Sequence, residues 1–115
     1  MSQPVTIYHN PRCSKSRETL ALLEERGIEP NIVRYLDEPP DVDTIRDLLG
    51  RLGLDARSLM RTKEARYREL GLDDADEDTL IQAMADTPVL TERPIVVTAR
   101  GAALGRPPEK VLDVL

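Results

Sequence analysis

The chain has 115 residues, enough for one modest domain, and its 21 acidic residues outnumber its 16 basic ones, which gives no general attraction for nucleic acid or anionic membrane. Phe and Trp are absent and Tyr occurs three times, so the core has to be aliphatic. One Cys and one His make neither an internal disulfide nor a four-ligand zinc site.

No apolar run approaches the ~18 residues that span a bilayer, and Met1-Ser2-Gln3-Pro4 lacks the charged and apolar regions of a signal peptide. A cytoplasmic protein is expected. Residues 4–8, with the run Val5-Thr6-Ile7-Tyr8, predict a first strand that ends at Asn10-Pro11. Residues 14–26 predict a helix with Leu20 and Leu23 on one face, and Gly27 stands where a left-handed cap is wanted. Ile32-Val33-Arg34-Tyr35-Leu36 predicts a second strand closed by Pro39-Pro40, completing a β-α-β unit.

Asp41 or Asp43 is positioned to cap an amphipathic helix carrying Val42, Ile45, Leu48, Leu49 and Leu52, which stops at Gly53. Leu54 to Leu72 is weakly patterned, with short helical turns around Ala56–Leu59 and Glu64–Leu70. The acidic stretch Asp73–Asp78 introduces a helix with Leu80, Ile81 and Met84 that ends near Thr87-Pro88. Pro94-Ile95-Val96-Val97-Thr98 is the strongest strand, Arg100-Gly101 turns the chain, and Ala102-Ala103-Leu104 returns as a hairpin partner. Arg106-Pro107-Pro108-Glu109 starts a closing helix with Val111, Leu112, Val114 and Leu115. The order predicts an α/β fold with a mixed sheet, and no internal repeat is visible.

The chemistry concentrates at Cys13. It immediately precedes a predicted helix, where unpaired N–H groups and the dipole favour a negative sulfur, and Arg12, Lys15 and Arg17 flank it. The same N–H groups suit an oxyanion. Ser14 and Ser16 add hydroxyls, and His9 either exchanges a proton or holds the loop. An inert thiol would sit in an apolar period, whereas Cys13 lies among Pro11, Arg12, Ser14 and Lys15. The residue three positions on is Ser16, so there is no C-x-x-C pair, and an adducted Cys13 must be resolved by an external thiol.

The segments Ile7-Tyr8-His9-Asn10-Pro11-Arg12-Cys13-Ser14-Lys15-Ser16-Arg17, Tyr35-Leu36-Asp37-Glu38-Pro39-Pro40 and Leu59-Met60-Arg61-Thr62-Lys63 carry a resemblance that covers nearly the whole chain. Glu69-Leu70-Gly71-Leu72, Arg93-Pro94-Ile95-Val96-Val97-Thr98 and Gly105-Arg106-Pro107-Pro108-Glu109 continue it. In order, they resemble the short branch of the glutaredoxin- and glutathione-linked arsenate reductase family. The resemblance implies a thioredoxin-like fold with a mixed four-stranded sheet. Its core would cover about 4–37 and 88–115, with a helical insertion at about 41–87 between the second and third strands.

It further implies Cys13 as nucleophile with His9 and Ser16 in the catalytic loop, and Arg61, Arg93 and Arg106 with Asn10 and Ser14 around the oxyanion. A cis bond before Pro94 is part of the same expectation. No bound cofactor is expected. Glutathione would be the thiol co-substrate and glutaredoxin the partner of a chain expected to be monomeric. Guanidinium groups suit this task because they stay charged and donate in pairs to a tetrahedral oxyanion. Two other readings use the same thiol: a monothiol glutaredoxin-like redox protein, and a non-catalytic regulator of the Spx type that binds RNA polymerase. Ser16 in place of a second cysteine, together with the three arginines, argues against the Spx type.

Overall fold

The structure is a computed structural model that describes residues 4–115, so Met1-Ser2-Gln3, part of the segment read for a leader, lies outside it. The chain divides into two compact units, one running up to Glu38 and resuming at Arg93–Leu115, the other Pro39–Glu92. Among the described residues no helix is long and apolar enough to cross a membrane.

The first unit holds strands β1 (Thr6–Tyr8), β2 (Asn31–Val33), β3 (Ile95–Thr98) and β4 (Gly101–Leu104) in the order β2-β1-β3-β4. β1 runs parallel to β2, with Ile7 opposite Ile32, and antiparallel to β3, with Ile7 opposite Val96. β3 and β4 form the antiparallel hairpin. This is the mixed four-stranded sheet the sequence predicts. Helix α1 (Ser14–Glu25) joins β1 to β2, and the β-α-β connection explains why that pair alone is parallel.

The core of this unit is aliphatic. Val5, Ile7, Leu23, Val96 and Val111 are buried together, with Leu20, Leu22, Ile28, Ala103, Val114 and Leu115 packed around them. Complete burial of Leu23 contributes about 1.5–3 kcal/mol by transfer from water, and it anchors α1. Gly27 has φ +76°, the left-handed conformation that ends α1 and that glycine adopts without a Cβ clash.

Two predicted elements differ in form. The second strand stops at Val33 rather than Leu36, because the Arg34 carbonyl accepts from the N–H groups of Asp37 and Glu38 and turns the chain. Tyr35 is buried but lies in that turn. The closing helix, Pro108–Val114, winds as a 3-10 helix with proline at its N-cap and first position, and the Lys110 N–H closes the first three-residue turn on Pro107 O at 3.1 Å.

In the second unit, α2 (Val42–Leu52) is capped by Asp41, whose carboxylate accepts from Thr44 N–H at 2.8 Å, and ends at left-handed Gly53. Helix α3 (Ala56–Leu59), α4 (Ala65–Glu69) and α5 (Glu77–Asp86) follow. α5 is capped by Asp76 through Thr79 N–H, and both α2 and α3 pack against it. The weakly patterned stretch is ordered by Arg57: Nε donates to Tyr67 Oη, and Nη2 to the carbonyls of Leu72, Asp73 and Ala75, each at 3.1 Å. One guanidinium thus gathers three backbone acceptors, of which Leu72 O also accepts from the Ala75 N–H at 3.1 Å.

Gly105 is the most closely packed of the glycines. Its N–H donates to Pro94 O at 2.9 Å, and a Cβ there would lie 2.5 Å from Thr19 Oγ1 and 2.7 Å from Pro94 Cγ. Pro94 and Thr19 are themselves buried, so neither can retreat. Gly105→Ala is expected to destabilise the protein by about 1–3 kcal/mol, the usual cost of overpacking, read as a lowered urea midpoint. An unchanged midpoint would mean that the three segments are not in contact.

Candidate active site

The site in the first unit is built on the loop between β1 and α1. The N–H of His9 donates to Val33 O at 2.8 Å, and the N–H of Cys13 to Asn10 O at 3.0 Å. Asn10 Oδ1 accepts from Arg12 N–H, also at 3.0 Å, the local turn an Asn before Pro favours. Arg17 Nη1 ties the end of the loop to Pro11 O at 3.0 Å. Cys13 is the N-cap residue of α1, in an extended conformation, so its sulfur stands over the open N-terminal turn.

Beneath the loop, His9 and Ser16 are buried. His9 Nδ1 and Ser16 Oγ share a hydrogen bond of 2.6 Å, and the Asn10 N–H donates to the same hydroxyl at 3.0 Å. Burial first, then the charges of Arg34 and Arg17, hold the imidazole below its ordinary pKa. The ring is therefore neutral at neutral pH, and its observed contact is with the loop rather than with the sulfur. Ser14, in the first turn, is exposed.

Cys13 is half-buried and free. Burial works against its thiolate, but the backbone N–H of Ser16, the charge of Arg93, the N–H of Lys15 and hydrogen bonding from Arg93 together outweigh it, and the thiol titrates below its ordinary value. No capping hydrogen bond closes onto Cys13; the N–H groups act on the sulfur as oriented dipoles at a helix start.

Arg93 precedes Pro94 through a cis bond, as the sequence resemblance implies, and a second cis bond joins Arg106 to Pro107. Arg106 Nη1 donates to Arg93 O at 3.2 Å, so these two arginines are brought together. Two nitrogens of Arg93, Nε and Nη1, are buried with no protein acceptor. Buried donors are nearly always paired, and a guanidinium with two donors unused beside a thiolate is suited to an anion that arrives from outside.

Arg61 belongs to the second unit. Its N–H donates to Leu90 O at 2.7 Å, and Met60 pairs with Thr91 in an isolated bridge. Its guanidinium faces two carboxylates, with Nη1 at 3.2 Å from Glu64 and Nε at 3.7 Å from Glu92. Among the described residues, no group of three or more His, Cys, Asp or Glu side chains is placed to hold a metal ion. Sequence reading passed over Gly105 and Thr19, which position Arg106 and Pro94 against α1. An isolated Gly at the end of a strand pattern is the signal that marks close backbone approach.

Residues 8–114 match the sequence pattern of the ArsC family. The chain belongs to the ArsC family. It is 54% identical over 114 residues to an arsenate reductase of Neisseria meningitidis, covering 96% of this chain and 97% of that protein. An uncharacterized protein, YfgD, of Escherichia coli (strain K12) is 58% identical over 118 residues, covering 100% of this chain and 99% of its own. Among solved structures, an arsenate reductase from Vibrio cholerae superposes with a TM-score of 0.97 at 52% identity, with full coverage of both chains.

For this ArsC-family chain, Arg93→Ala is expected to raise the Cys13 pKa toward the ordinary thiol value by removing the nearby positive charge. Since only the thiolate is alkylated, the iodoacetamide rate at neutral pH should fall, and its pH profile should move to higher pH. An unmoved profile would show that Arg93 does not act on the sulfur.

Proposed function

We propose that this protein is an arsenate reductase. The observation that carries the reading is the pair of buried, unused donors on Arg93, next to a thiol whose thiolate is stabilised. The arsenate reductases among its relatives support it. A monothiol redox protein would need the helix start but not those donors.

In the proposed reaction the Cys13 thiolate attacks arsenic, an S–As bond forms, and one oxygen leaves as water after protonation. Arsenic stays pentavalent. Glutathione then replaces a second oxygen in the same way. A glutaredoxin thiolate attacks the glutathione sulfur; the S–S bond forms as the S–As bond breaks, and its electron pair passes to arsenic. Water releases trivalent arsenite and restores the Cys13 thiol. One arsenate and two external thiols thus become arsenite, a disulfide and water, which explains how a chain with a single cysteine turns over.

Arg93 and Arg106 are assigned to the arsenate oxygens, with the Ser14 hydroxyl and the α1 N–H groups, and Arg61 as the third guanidinium. Arg61 would then exchange at least one of its carboxylate partners for substrate. His9, Ser16 and Asn10 are assigned to holding the loop. A monomer in the cytoplasm, with no bound cofactor, completes the proposal.

Purified protein given arsenate, glutathione, glutaredoxin and a reductant should release arsenite, and Cys13→Ser should abolish it. No arsenite above background would sink the proposal. Arg93→Ala should weaken arsenate binding by about 1–2 kcal/mol, as expected for a lost charge-assisted contact; an unchanged dissociation constant would remove Arg93 from the site.

A further inference from the structure

Along α1, Lys15, Glu18, Leu22 and Glu25 recur at spacings of three and four and form one stripe on the helix. Pro107, Pro108 and Glu109 lie opposite, and between them runs a groove of about 510 Å3 that belongs entirely to the first unit. Its floor is apolar, formed by half-buried Leu22 and buried Pro108, while the three glutamates are exposed on its rim. The single cation of the lining, Lys15, lies 3.5 Å from the Glu18 carboxylate. Three carboxylates against one ammonium leave the groove negative.

One end of this groove lies at the catalytic loop. Lys15 is in the first turn of the helix that Cys13 caps, and Pro107 follows Arg106. From there the stripe extends about 15 Å to Glu25, at 1.5 Å of rise per residue. The surface is thus cationic where the sulfur and the arginines stand and anionic along the track leading away from them.

That polarity selects among thiols. A small thiol such as glutathione carries two carboxylates and is repelled by the rim. A protein whose cysteine is flanked by an apolar side chain and by Lys or Arg complements both floor and rim, and opposite charge steers its approach. We infer that this groove docks the protein thiol donor that resolves the Cys13 adduct, and that the donor is recognised by basic side chains around an apolar contact beside its own cysteine. Docking there brings the donor's sulfur to the end of the groove where Cys13 sits. In the resolving step the donor's thiolate, its proton already given to solvent, forms an S–S bond with the small thiol on arsenic. Arsenic keeps the electron pair of the broken S–As bond, so arsenate is the only oxidant required.

The role of the docked protein rests on the arsenate reductase reading; the docking itself can be measured without arsenate. The probe is a reduced glutaredoxin with basic residues around its active site, titrated into the isotope-labelled full chain. The resonances of Leu22, Glu25 and Glu109 should shift. Glu25→Lys combined with Glu109→Lys should raise the Kd at least about tenfold and remove its salt dependence, with the Cys13 alkylation rate unchanged. No binding, shifts confined to another surface, or an unaltered Kd in the charge-reversed variant would each overturn the inference. Absence of arsenite production would strike the proposed reaction instead and leave a positive titration standing.

Discussion

Three stretches of chain that are far apart in sequence meet where Gly105 closes on Thr19 and Pro94. Thr19 fixes the second turn of α1, Pro94 begins the approach to β3, and Gly105 hands the chain from β4 to Arg106. Any side chain at position 105 would have to occupy space already filled by two buried groups, at the density of a packed interior. The site depends on this contact because Cys13, Arg93 and Arg106 are each within a few residues of one of its members. The loop itself adds a second, polar constraint in the buried His9–Ser16 hydrogen bond, to which the Asn10 N–H also contributes.

The electrostatics of the site run against those of the molecule. A chain with a net charge of −5 sets the Arg93 guanidinium beside a half-buried sulfur, and desolvation there opposes the thiolate. The balance tips because oriented N–H groups and Arg93 act at short range in a partly dry environment, where charge is poorly screened. The same arrangement leaves two donors of Arg93 unused inside the protein. That is a cost to the unliganded fold, and an arriving oxyanion can remove it. His9 shows the complementary effect: burial and neighbouring arginines keep it neutral, so it stabilises the loop without adding a charge beneath the sulfur.

The second unit makes its order from different material. α2 and α5 follow from cap residues and aliphatic spacing, but the short helices between them are held by Arg57, whose nitrogens collect three backbone carbonyls and a tyrosine hydroxyl. Arg61 nearby in sequence is met by Glu64 and Glu92. The two arginines look alike in the primary structure. Their tasks differ because one faces carbonyl oxygens of its own unit and the other faces carboxylates.

Much of this was legible locally. The β-α-β opening, the Asp41 cap, the Gly53 and Gly27 stops and the β3–β4 hairpin follow from propensities and periodicities that act over a few residues, although Gly101 pairs with Thr98 and the turn falls on Ala99-Arg100, one residue before the expected Arg100-Gly101. So did the character of Cys13, since a thiol set among proline, arginine, serine and lysine before a helix has its chemistry written by its neighbours. The end of β2 at Val33 and the Arg57 clamp were not legible, because hydrogen bonds from a turn and from a side chain overrode local preference. The approach of Arg93 to the sulfur, its unused donors and the need for glycine at 105 arise only when distant segments pack, for burial and unpaired polarity are properties of the folded interior that no short stretch of sequence possesses.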